Sequence, residues 1–305
     1  MELKLEGITK SYTKGKKRKN ALEDFSLTLT EGVYGLLGPN GAGKSTLINI
    51  ITGIIGRDSG NISFTDGNDN SFLSHLGFMP QGMDFYRNFT AKDYIKYIMA
   101  LKKYSPDNAD EYALTTLGKV NLRADADKKI GAFSGGMKQR LGIGMALVGE
   151  PDLLLLDEPI NGLDPQGIAE IRDMIFKLRD EQNMTIIISS HILEELSKIA
   201  THYGIIHNGT LVQEITKEEL MQRCGKRMEI FLDDPKQALP VLDQMGFKNY
   251  QVTDKNTIHI YERLDESAAV NMELAKAGVS VRGIGITSEE LENYFLNLTG
   301  GACNA

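Results

Sequence analysis

Residues 38–46 read Gly-Pro-Asn-Gly-Ala-Gly-Lys-Ser-Thr, three glycines followed by a cation and two hydroxyls. Glycine weakens any regular element that contains it, yet Leu47, Ile48, Ile50 and Ile51 follow at once at helical spacing. A backbone this bare at the mouth of a helix suits a polyanion. Without side chains the loop can fold into a concave nest of N–H groups, and the helix adds the partial positive charge of its N-terminus. Gly38, four residues, Gly43, Lys44 and Ser45, with a strand before and a helix after, is the spacing of a phosphate-binding loop. Lys44 is then placed to reach the β- and γ-phosphates of a nucleotide, and Ser45 to offer its hydroxyl to Mg²⁺.

Two carboxylates end an apolar run in "LLLLDEP". In open parallel sheets ligands bind beyond the carboxyl ends of the strands. Asp157 is thereby a candidate to hold Mg²⁺ through its water shell, and Glu158 a candidate to orient and activate an attacking water. A third feature is "FSGGMKQR", residues 133–140, where Ser134, Gly135 and Gly136 open an apolar helix running from Met137 to Val148. A serine at a helix start is an ordinary cap. Two glycines behind it raise the helix's entropic cost, which makes sense if that N-terminus must approach a second phosphate. The phosphate loop already surrounds the nucleotide on one side, so a second anion-binding helix mouth suggests a partner site on another copy of the chain.

These motifs, in this order, resemble the ATP-binding subunits of ABC transporters over residues 1 to about 220. In that family two cassettes dimerise head to tail, with ATP between one phosphate loop and the opposite signature. The resemblance implies that the loop residues Gly38, Pro39, Asn40, Gly41, Ala42, Gly43, Lys44, Ser45 and Thr46 bind ATP, and that Ser134, Gly135 and Gly136 meet the γ-phosphate held by the other protomer. The family signature is Leu-Ser-Gly-Gly-Gln, whereas this chain has Phe133 and Met137 at its ends. Gln81 in "FMPQGMDFY" resembles the glutamine that senses Mg²⁺ and the attacking water. His191 in "ISSHILEE" resembles the switch histidine on the γ-phosphate. Asn161-Gly162-Leu163-Asp164 resembles the loop that carries Asp164 across the dimer seam, with Ile160 where threonine is commoner. Tyr12 resembles the aromatic that stacks on adenine. More narrowly, the chain is similar to ATPase subunits of bacterial drug and bacitracin-type peptide exporters, and "TSEELENYFLNLTG" resembles their C-terminal tail. Such a subunit needs ATP, Mg²⁺, a second copy of itself and a separate integral membrane permease.

The elements that must position these residues alternate between strand and helix. Strands are expected at Leu3–Ile8, Ser26–Leu29 and Gly32–Leu37. The near-continuous apolar runs Leu153–Leu156 and Thr185–Ile188 fit strands covered on both faces. Helices are expected from Lys44 to Ile51, across Thr90 to about Asp127 with a break at Pro106 and Asp107, and over Gln166–Glu181 and Ile192–Ile199. The expected fold is α/β: a P-loop ATPase cassette (1–220) with a mostly parallel central sheet, an antiparallel β subdomain and a helical subdomain at about 82–148, then a small α+β accessory domain (221–305). There, strands are expected at Met228–Leu232, Thr257–Tyr261 and Val279–Gly283, and helices at Pro235–Met245, Glu266–Gly278 and Ser288–Leu298.

Composition narrows the class. The 305 residues carry a net charge of −7, which argues against nucleic acid as a partner. The start has no apolar core of a secretory signal, and no run reaches the roughly 18 apolar residues of a membrane span. Cys224 and Cys303 are expected as reduced thiols. A cytoplasmic protein, peripheral on the inner face of the cell membrane, is the expectation. Lys14, Lys16, Lys17, Arg18 and Lys19 form a basic run suited to a solvated turn or to anionic lipid headgroups. A soluble ABC-type ATPase acting on nucleic acid or ribosomes is the alternative, opposed by the acidic balance and the single cassette. A P-loop kinase or GTPase leaves "SGGM" unexplained and lacks a guanine-specifying Asn-Lys-x-Asp.

Overall fold

Antiparallel pairing of β1 (Leu3–Lys14) with β2 (Lys17–Leu29) opens the chain. Strict alternation from Leu3 and Leu5 would turn Gly7 inward; a register shift between Leu5 and Ile8 buries Ile8 instead. The structure is a computed structural model and describes residues 2–14, 17–64, 72–224, 226–288 and 291–299. Lys16 of the basic run, Glu289, Glu290 and Gly300 of the tail, and Cys303 lie outside the described residues. After β3 (Val33–Leu37) come α1 (Lys44–Ile51), β4 (Ser59–Phe64) and β5 (Leu76–Met79). Three helices follow: α2 (Ala91–Leu101), α3 (Ala109–Lys119) and α4 (Gly135–Ala146). The remainder of this part alternates: β6 (Leu153–Asp157), α5 (Pro165–Gln182), β7 (Thr185–Ser190), α6 (Leu193–Ile199), β8 (His202–His207) and β9 (Thr210–Thr216).

The six-stranded sheet runs β5-β6-β7-β3-β8-β9, parallel except for the final β8–β9 hairpin. β2, β1 and β4 form a separate antiparallel sheet. Every residue of β3, β6 and β7 is buried, which is why those strands are apolar without alternation. Each buried Leu or Ile side chain contributes about 1.5–3 kcal/mol of transfer free energy. Register decides the functional geometry. Leu37 is opposite Ser190, and Asp157 opposite Ser189, so three adjacent strands end at one level and release their loops side by side.

The expected helical stretch from Thr90 is two helices, each with a side-chain cap: Thr90 accepts from the Asp93 amide and Asn108 from the Glu111 amide. The chain divides into two compact units after Lys217. In the second, α7 (Lys217–Cys224) leads into β10 (Lys226–Leu232), α8 (Leu239–Gln244), β11 (Tyr250–Val252), β12 (Thr257–Ile260), α9 (Ser267–Lys276), β13 (Val281–Ser288) and α10 (Leu291–Leu298). Its sheet order, β11-β12-β10-β13 with every pair antiparallel, is the interleaved arrangement of ferredoxin-like domains. Met228, Ile230, Leu242, Phe247, Ile258 and Leu274 make a core of its own.

Candidate active site

Gly38–Thr46 links the end of β3 to the start of α1, and its glycines are required by neighbours as well as by conformation. A side chain on Gly38 would strike the Ile206 carbonyl. Gly43 caps α1 at φ +115, where a Cβ would lie 2.5 Å from the Ala21 carbonyl oxygen. The β8–β9 turn braces the loop from behind, since the Gly209 amide donates to the Ala42 carbonyl at 2.9 Å. Lys44 is 7 % exposed, and its Nζ donates to the carbonyls of Gly38 and Pro39. Burial pushes the ammonium below its ordinary pKa, while the Glu158 and Asp157 carboxylates act upward.

Those carboxylates leave β6, which β7 separates from β3 in the sheet. Asp157 is buried and accepts a short hydrogen bond from the Ser189 hydroxyl. Glu158 sits in the left-handed region at φ +54, which for a non-glycine costs of order 1–3 kcal/mol. Its amide donates to the Ser189 carbonyl at 3.2 Å and the Ser189 hydroxyl at 3.1 Å. The carboxylate is 2.9–3.0 Å from His191 Nδ1. A carboxylate only accepts, so Nδ1 carries the proton and donates. The backbone turn and the imidazole thus hold this acid in one orientation.

Pro39, Asn40, Gly41, Gly43, Lys44, Ser45, Thr46, Gln81, Glu158 and His191 converge on one cavity of about 340 Å³, with Ala21 and Asn161 completing its wall. Gly38, Ala42 and Asp157 are buried and do not line it. Tyr12 is not part of it; it lies on β1 opposite Lys19, 48 % exposed, with Lys10 Nζ 5.9 Å from its ring. Ser134, Gly135, Gly136 and Asp164 lie elsewhere, in a second cleft of about 500 Å³ shared with Met137, Arg140, Leu163 and Glu170. Two helix N-termini open into it. Ser134 caps α4 by accepting from the Met137 amide at 3.3 Å, and Asp164 caps α5 by accepting from the Gly167 amide at 2.9 Å. Ile160, 1 % exposed, packs into the core beneath, which accounts for an apolar residue there. Met83, just beyond Gln81, fills the space a side chain on Gly142 of α4 would need.

Ser189, Ala21 and Gly209 are absent from the residues picked out by motif. Ser189 had a signal: a hydroxyl pair ending an otherwise apolar strand. Asn208-Gly209 had another, the usual sequence of a two-residue hairpin turn. Ala21 had none. The chemistry of the first cavity fits a nucleotide: an N–H nest that admits no Cβ at Gly43, a buried ammonium and an oriented acid. It also fits Mg²⁺. The described residues hold no cluster of three metal-ligating acidic, histidine or cysteine side chains, but Mg²⁺ beside a nucleotide takes one or two protein oxygens plus phosphate and water.

A glycine-rich loop between a parallel strand and a helix, with an oriented acid two strands along the sheet, defines a P-loop nucleotide hydrolase of the ATP-binding cassette type. The family model described as ABC transporter matches residues 22–161. The bacitracin transport ATP-binding protein BcrA of Bacillus licheniformis is 36 % identical over 98 % of this chain and 97 % of its own length. The lantibiotic transport ATP-binding protein SrtF of Streptococcus pyogenes is 40 % identical over 70 % of this chain and 90 % of its own. The fold matches the ATP-binding cassette MJ0796, solved as a post-hydrolysis dimer bound to ADP and Pi, with a TM-score of 0.64 at 24 % identity over 70 % of this chain and 98 % of that one. The chain belongs to the ATP-binding subunits of ABC transporters: it binds ATP, and its hydrolysis is coupled to transport. No helix among the described residues is long and apolar enough to cross a membrane.

Proposed function

We propose that two copies of this chain close head to tail around two ATP molecules and drive a separate integral membrane permease that exports antibiotic peptides or related drugs. The observation that carries the reading is the pairing of two unlike clefts on one cassette, one rich in phosphate-binding and acid groups, the other offering capped helix mouths. The loop Gly38–Thr46 cradles the phosphates, with Lys44 leaving its carbonyl partners for the β- and γ-phosphate oxygens. Ser45, Asp157 and Gln81 would hold Mg²⁺, which would supply positive charge to offset that of the phosphates. Glu158 takes a proton from the attacking water as its oxygen bonds to the γ-phosphorus and the bond to the β-phosphate oxygen breaks. His191 holds Glu158 through Nδ1 and presents its other ring edge to the γ-phosphate. Ser134, Gly135, Gly136 and Asp164 complete the site of the opposite copy, and Tyr12 stacks on adenine. The cassette (1–220) works at the inner face of the membrane, with an accessory domain at 221–305; the two compact units support this division. The peptide cargo rests on the names of two relatives, of which the bacitracin transport protein matches 98 % of this chain and the lantibiotic transport protein 70 %.

The test is Glu158→Gln in Mg-ATP. Removing a general base lowers turnover by about 10²–10⁴-fold, and an ATP-dependent dimer should accumulate in light scattering. A variant that stays monomeric at saturating Mg-ATP, alone and beside the permease in vesicles, would overturn the proposal.

A further inference from the structure

Two helices reach the second cleft from different parts of the cassette, and one ion pair ties them together. Arg140 of α4 and Glu170 of α5 lie 3.4 Å apart from Nη1 to Oε2. Each stands six residues beyond its helix's cap (134 to 140, 164 to 170). At 1.5 Å rise per residue the link therefore sits at equal depth, about 9 Å, behind both helix mouths. The same Nη1 donates to the Asn121 carbonyl at 3.3 Å, and Gln166 donates to the other Glu170 oxygen at 3.2 Å. At the mouths themselves, a Cβ on Gly136 would lie 4.0 Å from Leu163 Cδ2.

Stability does not explain the arrangement. Glu170 is 38 % exposed and Arg140 16 %, and a pair with one solvated partner at this distance adds about 1 kcal/mol at most to folding. The Arg140 Nε is buried with no hydrogen-bond partner, an unfavourable placement that a methionine would avoid. We propose that Arg140 and Glu170 are positioning residues that hold the Ser134 and Asp164 helix mouths as one surface, so that both meet the opposite protomer together. This rests on the composite-site reading above. It adds that the signature and the loop carrying Asp164 act through a shared link, not as independent contacts.

The experiment is a double-mutant cycle in the hydrolysis-deficient Glu158→Gln background, using Arg140→Met, Glu170→Gln and the pair. The readouts are ATP affinity of single chains below the dimerisation threshold, dimer population at saturating Mg-ATP, and thermal midpoint. Each single variant should keep ATP affinity within about twofold and lose dimer by about tenfold, a 1.4 kcal/mol effect at the interface, while the midpoint moves little. The double variant should be no worse than the poorer single one. In the hydrolysing chain, Glu170→Gln should also lower the Hill coefficient for ATP toward one. Wild-type dimerisation of Glu170→Gln, or losses that multiply in the double variant, would overturn the link. A Ser134→Arg chain serves as the separate control: if it still dimerises, the composite site itself is wrong, whatever the link does.

Discussion

The cavity over α1 and the cleft between α4 and α5 use the same backbone device and differ in everything else. Both are helix N-termini opened by glycine. In the first, Gly43 is compulsory, at φ +115 with the Ala21 carbonyl in the way of any side chain, and the charges are built in: buried Lys44, Asp157 locked by Ser189, Glu158 locked by His191. In the second, a Cβ on Gly135 would meet nothing within 4 Å. The caps are hydroxyl and carboxylate, and the guanidinium nearby is paired with Glu170. One region is tightly constrained by its own fold. The other keeps Gly135 and Gly136 at its signature helix with no close internal neighbour to require them, as a surface would if its constraint came from a second molecule.

The strongest way to break that contrast is complementation. Lys44→Ala and Ser134→Arg should each abolish most turnover alone. A mixed dimer keeps one seam with both native halves, so an equal mixture should regain on the order of a quarter of native activity. No recovery would mean that each chain works by itself. Next in size is Gly43→Ala, which forces both a left-handed φ and a clash, and should cost about 2–4 kcal/mol in denaturant unfolding. Its counterpart Gly135→Ala should be neutral or up to about 1 kcal/mol more stable, because alanine favours a helix, yet should weaken the ATP-dependent dimer. If Gly135→Ala destabilises as much as Gly43→Ala, the contrast is gone.

Ser189→Ala should cost about 1–3 kcal/mol by leaving buried Asp157 without its donor, and should raise the Mg²⁺ concentration needed for half-maximal turnover. An unchanged Mg²⁺ requirement would separate Asp157 from the metal. The smallest effect is electrostatic. Lys44 has a lowered pKa in the fold because of burial. Below that value it is protonated in both states and its burial opposes folding by a constant amount. Between the lowered value and 10.5 the unfolded chain binds the extra proton, so stability should rise with pH relative to Lys44→Met. A flat difference across that window would show that the ammonium is not desolvated.

Local signals carried most of the cassette. The glycine loop, the Ser-Gly-Gly helix start and the carboxylates after "LLLL" are each stretches whose residue types have one good physical use, and Thr90 and Asn108 cap helices in the ordinary way. The misses are of one kind. β2 extends from Lys17, well before the expected Ser26, because its outer half is stabilised by pairing with β1 and has little apolar pattern of its own. β4, β5 and β9 are short or half-exposed strands that exist through their neighbours. In the accessory unit the last strand runs Val281–Ser288, past the expected Gly283, since Gly283 and Gly285 remain extended by pairing with Phe231 and Glu229.

The sequence alone determined which groups could bind phosphate and hold an acid near it, because those properties depend on residue type and on spacings of a few bonds. Tertiary structure alone decided that Asp157 answers to Ser189, that His191 fixes Glu158, and that Ser134 and Asp164 share a cleft tied by Arg140 and Glu170. Those pairings join residues about thirty apart along the chain, and only strand register and helix packing, which are sums over many weak contacts, bring them within hydrogen-bond reach.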